Sequence, residues 1–323
     1  MSQRHRVLII GGGFAGFHCA KRLSRRKDVH VTILNPSDYF LYLPMLPQVT
    51  GGLLEAARVA VPLATTLPRV RLVFGSASKL DFDGRMMAYD NGEGRTSTIG
   101  YDTLVLAAGS VNKLLPIPGI ADHAHGFRGI PEALYLREHL TRQVEMAANA
   151  DDPAERTARL TFVVVGAGYT GTEVLVHGQR LVADVVRAHP RLRHDTVHWH
   201  LVDTADRVLP GLDQRMSRTA ARVLHRRGVE VHTKTSVAEA TADGVRLSDD
   251  SMLASKTLIW CVGVRPDPFL ESTGLPTDHG RVVVDADLTV PEHPEIYAIG
   301  DAAAVPDLTR PGQSTAMTAQ HAQ

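Results

Sequence analysis

The chain has 323 residues, of which 44% are hydrophobic, 22% charged and 5% aromatic, and its 35 basic and 35 acidic side chains cancel to a formal net charge of zero. That length allows about two globular domains with their own cores, and the balanced charge speaks against general nucleic-acid binding or a strongly basic membrane-facing surface. The two cysteines, Cys19 and Cys261, form no CxxC or CxxxxC pair, which excludes a local redox dithiol and a zinc ribbon, and no run approaches the roughly 18 apolar residues of a membrane-spanning helix.

The first predicted element is an apolar strand, VLII from Val7, entered almost directly after MSQRHR. With no leader-like segment ahead of it, a cytoplasmic location is expected. The strand runs into Gly11, Gly13 and Gly16, a GxGxxG turn, and then into a helix through FHCAKRLSRR. VHVTIL, from Val29, is a second strand and ends at Asn35. NPSDYFLYLPMLPQVTGG is rich in Pro and Gly and reads as a long irregular excursion. VRLVFG, ASKLDF and RMMAYD alternate in polarity, with turn signals at Asp83-Gly84 and Asn91-Gly92, and read as an antiparallel meander. YDTLVLAAG is a buried strand closing at Gly109.

The polar stretch EMAANADDPAERTARL, residues 145–160, is the expected linker to a second half that repeats this order. LTFVVVGAGYTG supplies strand and turn, with Gly166, Gly168 and Gly171, and TEVLVHGQRLVADVVRAH is helical. VHWHLVD is a strand ending on Asp203, VEVHTKTSVAEATADGVRLSDD reads as a second meander, and TLIWCVG closes at Gly263. Gly11 to Gly109 spans 98 residues and Gly166 to Gly263 spans 97, the mark of an internal duplication. The last stretch, RVVVDADLTVPEHPEIYAIGDAAAV, belongs with neither meander and is expected to complete the first domain. The fold class is therefore α/β, with two Rossmann-like, three-layer dinucleotide-binding domains, each with an antiparallel meander.

Each fingerprint sets a helix N-terminus at the end of a strand, where unpaired N–H groups and the helix dipole favour a diphosphate. Gly11 and Gly166 allow the tight turn, Gly13 and Gly168 a close approach of phosphate to backbone, and Gly16 and Gly171 the packing of helix on strand. Asp203, ending the second strand of the second half, is suited to a ribose 2′-hydroxyl and repels a 2′-phosphate, which favours NADH over NADPH, although Arg207 lies close in sequence. Asn35 holds the matching place in the first half, and a neutral amide contributes about 0.5–1.5 kcal/mol where a charged partner gives about 1.5–3. Glu173, two residues past the third glycine, is expected in the first turn of its helix, where the dipole favours a carboxylate. His198 and His200 share one strand face near His194, but the sequence offers no carboxylate or thiol to complete a ligand set, so no metal site is expected.

The arrangement resembles the flavoprotein reductases that bind two dinucleotides, the FAD-dependent pyridine nucleotide-disulfide oxidoreductase superfamily, and within it the type II NADH:quinone dehydrogenases. The segments that carry the resemblance are VLIIGGGFAGFHCAKRL, DYFLYLPMLPQVTGGL, YDTLVLAAGS, FVVVGAGYTGTEV, TLIWCVGVRPDP, IYAIGDAAAV and the closing TAQHAQ. The resemblance implies a split FAD-binding domain, residues 1–120 and 280–323, around an inserted NAD(H)-binding domain, residues 121–279. It implies FAD contacts from Gly11, Gly13, Phe14, Ala15, Gly16, Asn35, Ala77, Gly109, Gly300, Asp301, Ala319 and Gln320. The loop with Leu43, Pro44 and Leu46 is implied to lie near the isoalloxazine. NADH would be held by Gly166, Gly168, Tyr169, Thr170, Gly171, Glu173, Asp203 and Gly263, with Glu173 the implied catalytic side chain beside nicotinamide and flavin. Gln320 and Gln323 match glutamines that line the family's quinone site.

The implied reaction is hydride transfer from NADH to flavin, followed by transfer of two electrons to a quinone or another small acceptor, without nucleic acid. Asn35 departs from the family's usual acidic residue. The family's C-terminal membrane-binding and dimer region has no counterpart after the Gly-Asp here, so peripheral contact with the inner face of the cell membrane and homodimer formation are expectations tied to a region this sequence does not carry. Two other readings stay open at this point: a soluble FAD-dependent reductase of a small redox protein, and a slow flavin redox sensor or interaction protein of the apoptosis-inducing-factor type. Disulfide reductase and sulfide:quinone chemistry are disfavoured by the cysteines.

Overall fold

The structure, a computed structural model, describes residues 4–306 and the backbone of Ser314 and Thr315. The chain divides into two compact units, one of Met1–Leu41, Ala60–Val111 and Arg265–Gln323, the other of Tyr42–Val59 and Asn112–Val264.

In the first unit, six strands form one sheet in the order Thr289–Val290, His293–Ala298, Thr103–Leu106, His5–Ile10, Val29–Asn35, Arg71–Phe74. All neighbours pair in parallel except the first two. Alternate side chains of the His5–Ile10 strand point to opposite faces. Val7 and Ile9 pack with Phe17 and Ala20 of the Phe14–Leu23 helix, where Phe40 stacks on Phe17 at 4.7 Å and meets Phe14 edge-on at 4.9 Å. Leu8 and Ile10 pack on the other face with Leu80 and Met87, which come from an antiparallel meander of Ser76–Asp81, Met86–Asp90 and Thr96–Gly100. Helix, sheet and meander make the three expected layers.

The second unit repeats the plan with five parallel strands, ordered Ala124–Gly126, Thr257–Trp260, Thr161–Val165, His198–Val202, Val229–His232. Val163, Val165, Val202, Leu258 and Trp260 face a meander of Val237–Thr241, Gly244–Leu247 and Met252–Ala254 through Val237, Ala240, Val245 and Leu247. Phe162 and Trp199 stack at 4.6 Å on the opposite face. There Trp199 meets Gly178 of the long Tyr169–Ala188 helix, at a spot that Leu140 of the Ile130–Asn149 helix also reaches.

Four sequence expectations need correction. VRLVFG does not join the first meander: Arg71–Phe74 is the parallel edge strand beside Val29–Asn35. Val229–His232 does the same in the second unit beside His198–Val202. Each is an edge strand with a single neighbour, where polar residues such as Arg71 and Glu230 are exposed and break the apolar run that marks a central strand. Residues 145–160 are no linker, because they complete the Ile130–Asn149 helix and form the Pro153–Arg159 helix, capped by the Asp152 carboxylate on the Ala154 N–H. The compact units part after residues 111 and 264, whereas the expected boundaries follow 120 and 279, and the stretch from Tyr42 to Val59 goes with the second unit. That stretch is anchored by the short Leu46–Thr50 helix, whose Leu46, Val49 and Thr50 are fully buried. Thr50 donates to Ala133 O at 3.3 Å and Gly51 lies against His177.

Both fingerprint turns are closed by backbone contact. A Cβ on Gly11 would fall 2.3 Å from Ala107 O, and one on Gly166 2.2 Å from Cys261 O. A Cβ on Gly16 would fall 2.0 Å from Gly11 O, and one on Gly171 1.9 Å from Gly166 O. Side chains at these positions force backbone shifts costing about 1–3 kcal/mol or more. Gly16→Ala and Gly171→Ala are therefore expected to lower the melting temperature of the affected unit by several degrees, about 2–4 °C per kcal/mol. Gly13→Ala and Gly168→Ala, whose Cβ atoms would meet nothing within 4 Å, should leave it unchanged. Calorimetry on the four variants checks this contrast.

Candidate functional site

The two turns present the same anion-binding geometry. Gly13 and Gly168 are the N-cap residues of the Phe14–Leu23 and Tyr169–Ala188 helices, and neither helix has a side-chain cap. Open space lies where a side chain at either glycine would stand. A diphosphate group therefore fits each helix start, drawn by the partial positive charge of the dipole. Phe14, Ala15 and Gly16 in one unit, and Tyr169, Thr170 and Gly171 in the other, follow these caps as the first helical residues.

The residue that ends the second strand braces the turn in both units, but differently. Asp203 accepts the Ala167 N–H at 2.5 Å on one oxygen and the Ala205 N–H at 2.7 Å on the other. A carboxylate so held keeps further acceptor capacity, suited to ribose hydroxyls. Asn35 accepts the Gly12 N–H at 2.7 Å, while its Nδ2 donates to the Ser37 carbonyl and hydroxyl at 2.9 and 3.0 Å. Its amide hydrogens are committed and the side chain is buried, so its observed task is to hold the loop. Arg207 turns its guanidinium to the Pro210 and Leu212 carbonyls of its own loop, at 2.9 and 3.4 Å.

Elsewhere in the first unit, Gly109 and Gly300 adopt φ of +74° and +70°, which favours glycine. Asp301 accepts a hydrogen bond from Ser110 Oγ at 2.6 Å. Ala77 sits at a register irregularity in the first meander, just after Gly75, whose N–H bonds Asn35 O. Ala319, Gln320 and Gln323 lie outside the described residues.

In the second unit, a cleft of about 350 Å³ gathers Leu43, Pro44, Pro47, Tyr169, Thr170, Glu173, Cys261 and Gly263, with Asn112, Phe127, Arg128 and Val264 completing its lining. Pro44 thus joins the fingerprint helix of its own unit. Leu46 points away from this lining into the core, fully buried. Glu173 is not in the first helical turn. The helix begins at Tyr169, with Gly171 already inside it, and its first turn holds no acidic residue. Dipole stabilisation falls off within one turn, so it gives no reason for a carboxylate at Glu173. The side chain stands exposed at the cleft, and the desolvation it does feel raises its pKa.

One group was missed from sequence. Glu230 and His232, on the strand beside His200, place a carboxylate and a further imidazole next to it. These partners lie some thirty residues away in sequence and meet His200 only through strand register.

The sequence from 5 to 323 matches the family model described as pyridine nucleotide-disulphide oxidoreductase. Two type II NADH:quinone oxidoreductases of Mycobacterium tuberculosis are similar to the chain. One is 31% identical, over 94% of this chain and 68% of its own length. The other is 32% identical, over 99% and 70%. The fold matches a structure of NDH2 from Plasmodium falciparum in complex with NADH, with a TM-score of 0.87 and 20% identity, over 94% of this chain and 65% of that one. The chain spans about two thirds of the length of these relatives.

The thiols of this chain stand apart from disulfide chemistry. Both cysteines are free, Cys19 in the first helix of its unit and Cys261 at the cleft of the other. Burial raises the Cys19 pKa to about 11 and that of Cys261 to about 12. A raised thiol pKa means little thiolate at neutral pH, and the thiolate is the nucleophile. At pH 8 the native protein should react with iodoacetamide on the order of 100-fold more slowly than the denatured chain, measured by mass spectrometry at each cysteine.

Proposed function

Since the chain belongs to the pyridine nucleotide-disulphide oxidoreductase family, we propose that it is an FAD-dependent NADH dehydrogenase that delivers two electrons to a quinone. The observation that carries this reading is the pair of uncapped, side-chain-free helix starts, one per unit, only one of which is braced by a carboxylate with acceptor capacity to spare. Two such sites suit two dinucleotides of different kinds. A resident FAD suits the first unit, with Gly11, Gly13, Phe14, Ala15 and Gly16 about its diphosphate and Asp301 beside it. NADH suits the second, with Gly166, Gly168, Tyr169, Thr170 and Gly171 about the diphosphate and Asp203 on the ribose.

A flavin held in the first unit would supply the redox chemistry that links NADH to the quinone. The chain supplies position and protons. Asp203, held by two backbone N–H groups, disfavours a 2′-phosphate by charge, and Arg207 is engaged with its own loop. Glu173 stands in the cleft with Tyr169, Thr170 and Gly263, where its raised pKa suits it to hold a proton for the reduced acceptor. A quinone is a lipid-soluble acceptor, which calls for work at a membrane surface as a peripheral protein. Among the described residues no helix is long and apolar enough to cross a membrane.

Purified protein should be yellow, or become so with added FAD, should bleach on addition of NADH, and should be reoxidised by menaquinone or ubiquinone analogues. Protein that stays colourless with FAD, or a loaded form that NADH does not bleach, overturns the reading. Reoxidation by ferredoxin or rubredoxin but not by quinones moves the acceptor to a small redox protein. NADH should be preferred over NADPH by at least about tenfold in kcat/KM, as expected from a charged ribose contact of about 1.5–3 kcal/mol, and Asp203→Ser should narrow that preference.

Glu173→Gln should slow quinone turnover by at least about tenfold, a modest share of what a general acid contributes. A proton donor with a raised pKa stays protonated to higher pH, so wild-type turnover should fall as pH rises through that pKa. The variant should lose this limb of the profile. Unchanged turnover and an unchanged profile would remove Glu173 from the mechanism.

A further inference from the structure

The sheet of the second unit carries a polar group in a row that is otherwise apolar. His200 pairs in register with Val163 on one side and Glu230 on the other, and Val163 pairs with Leu258. Val163 and Leu258 belong to the core beneath the meander. His200, only 7% exposed, shares that face. His232 lies two residues beyond Glu230 on the edge strand and so projects to the same face. His200 Nδ1 lies 3.1 Å from His232 Nε2 and 3.6 Å from Glu230 Oε2, and the three ligand atoms all fall within 4.8 Å of one another.

Ligands about 2.0–2.1 Å from a tetrahedral ion stand about 3.3–3.4 Å apart, and the two separations bracket that value. Two imidazoles and one carboxylate form a donor set for zinc and its neighbours, while magnesium and calcium prefer all-oxygen sites. Each imidazole has a second ring nitrogen for its proton, so a tautomer change alone turns the His200–His232 hydrogen bond into two free lone pairs. The exposed Glu230 leaves the site open to solvent, from which water can take the fourth position. His198 lies on the same strand face as His200.

We propose that His200, Glu230 and His232 form a binding site for a divalent late transition metal, Zn²⁺ or Co²⁺ in type, that clamps the edge strand Val229–His232 to His198–Val202. The site is separate from the dinucleotide chemistry and does not rest on it. Its position has one structural consequence: the Asp203 N–H donates to His232 O at 2.9 Å, so the clamped strand also carries the residue after His198–Val202.

Metal-stripped full-length protein titrated with Co²⁺ should bind one equivalent with the visible d–d absorption of a tetrahedral or five-coordinate N/O site. The double variant His200→Gln, His232→Gln should lack that equivalent and that band. Glu230→Gln, at an exposed position that leaves the core intact, should bind Co²⁺ at least tenfold more weakly. Zn²⁺ should raise the melting temperature of the wild type and not of the double variant. If the double variant does not fold, Glu230→Gln and His232→Gln decide the question singly by the same weakening. No band in the wild type, or equal binding by wild type and variants, overturns the proposal.

Discussion

Everything in this fold depends on how closely two stretches of backbone approach at each fingerprint turn. The closing strand brings Ala107 O against Gly11 in one unit and Cys261 O against Gly166 in the other, and the third glycine of each turn lies over the first. The corresponding distances agree to within a tenth of an ångström between the units, so the duplication extends from the order of elements to the packing of single atoms. That approach seats the helix on the sheet and aims its N-terminus past the strand ends. A larger residue at these points would lift the helix, and the cradle would go with it.

The sequence made the turns legible because glycine has few other reasons to recur at that spacing. The central strands were legible too, as continuous runs such as VLII and FVVV buried on both faces. The edge strands misled for the opposite reason: in Arg71–Phe74 and Val229–His232 exposed polar residues interrupt the apolar run. Residues 145–160 misled through polarity, since the Pro153–Arg159 helix turns an exposed face to water while Ala158 is buried. Glu173 was misplaced because the helix begins before the third glycine. The neighbours of His200 could not be read at all, because strand register between segments thirty residues apart is a property of the folded sheet.

The two units build the same turn and brace it with unlike side chains. In the first, the residue at the second strand's end is consumed by the loop it braces, with both amide hydrogens of Asn35 on Ser37. In the second, Asp203 braces the turn with one oxygen and the following loop with the other. Desolvation raises the pKa of both Cys19 and Cys261, which disfavours their thiolates.

The pairing of His293–Ala298 with Thr103–Leu106 has a consequence for how the chain reaches its native state. The late strand completes the first unit's sheet in an interior position, between Thr103–Leu106 and the short Thr289–Val290 edge. During synthesis, Thr103–Leu106 therefore waits on the order of 190 residues for its neighbour, a pairing of high contact order and slow closure. Until then it presents an open row of backbone donors and acceptors, the kind of edge that recruits strands from other chains. The first unit begins the sequence but is the last to become whole, and a nascent chain released before residue 298 would be prone to aggregate through that edge.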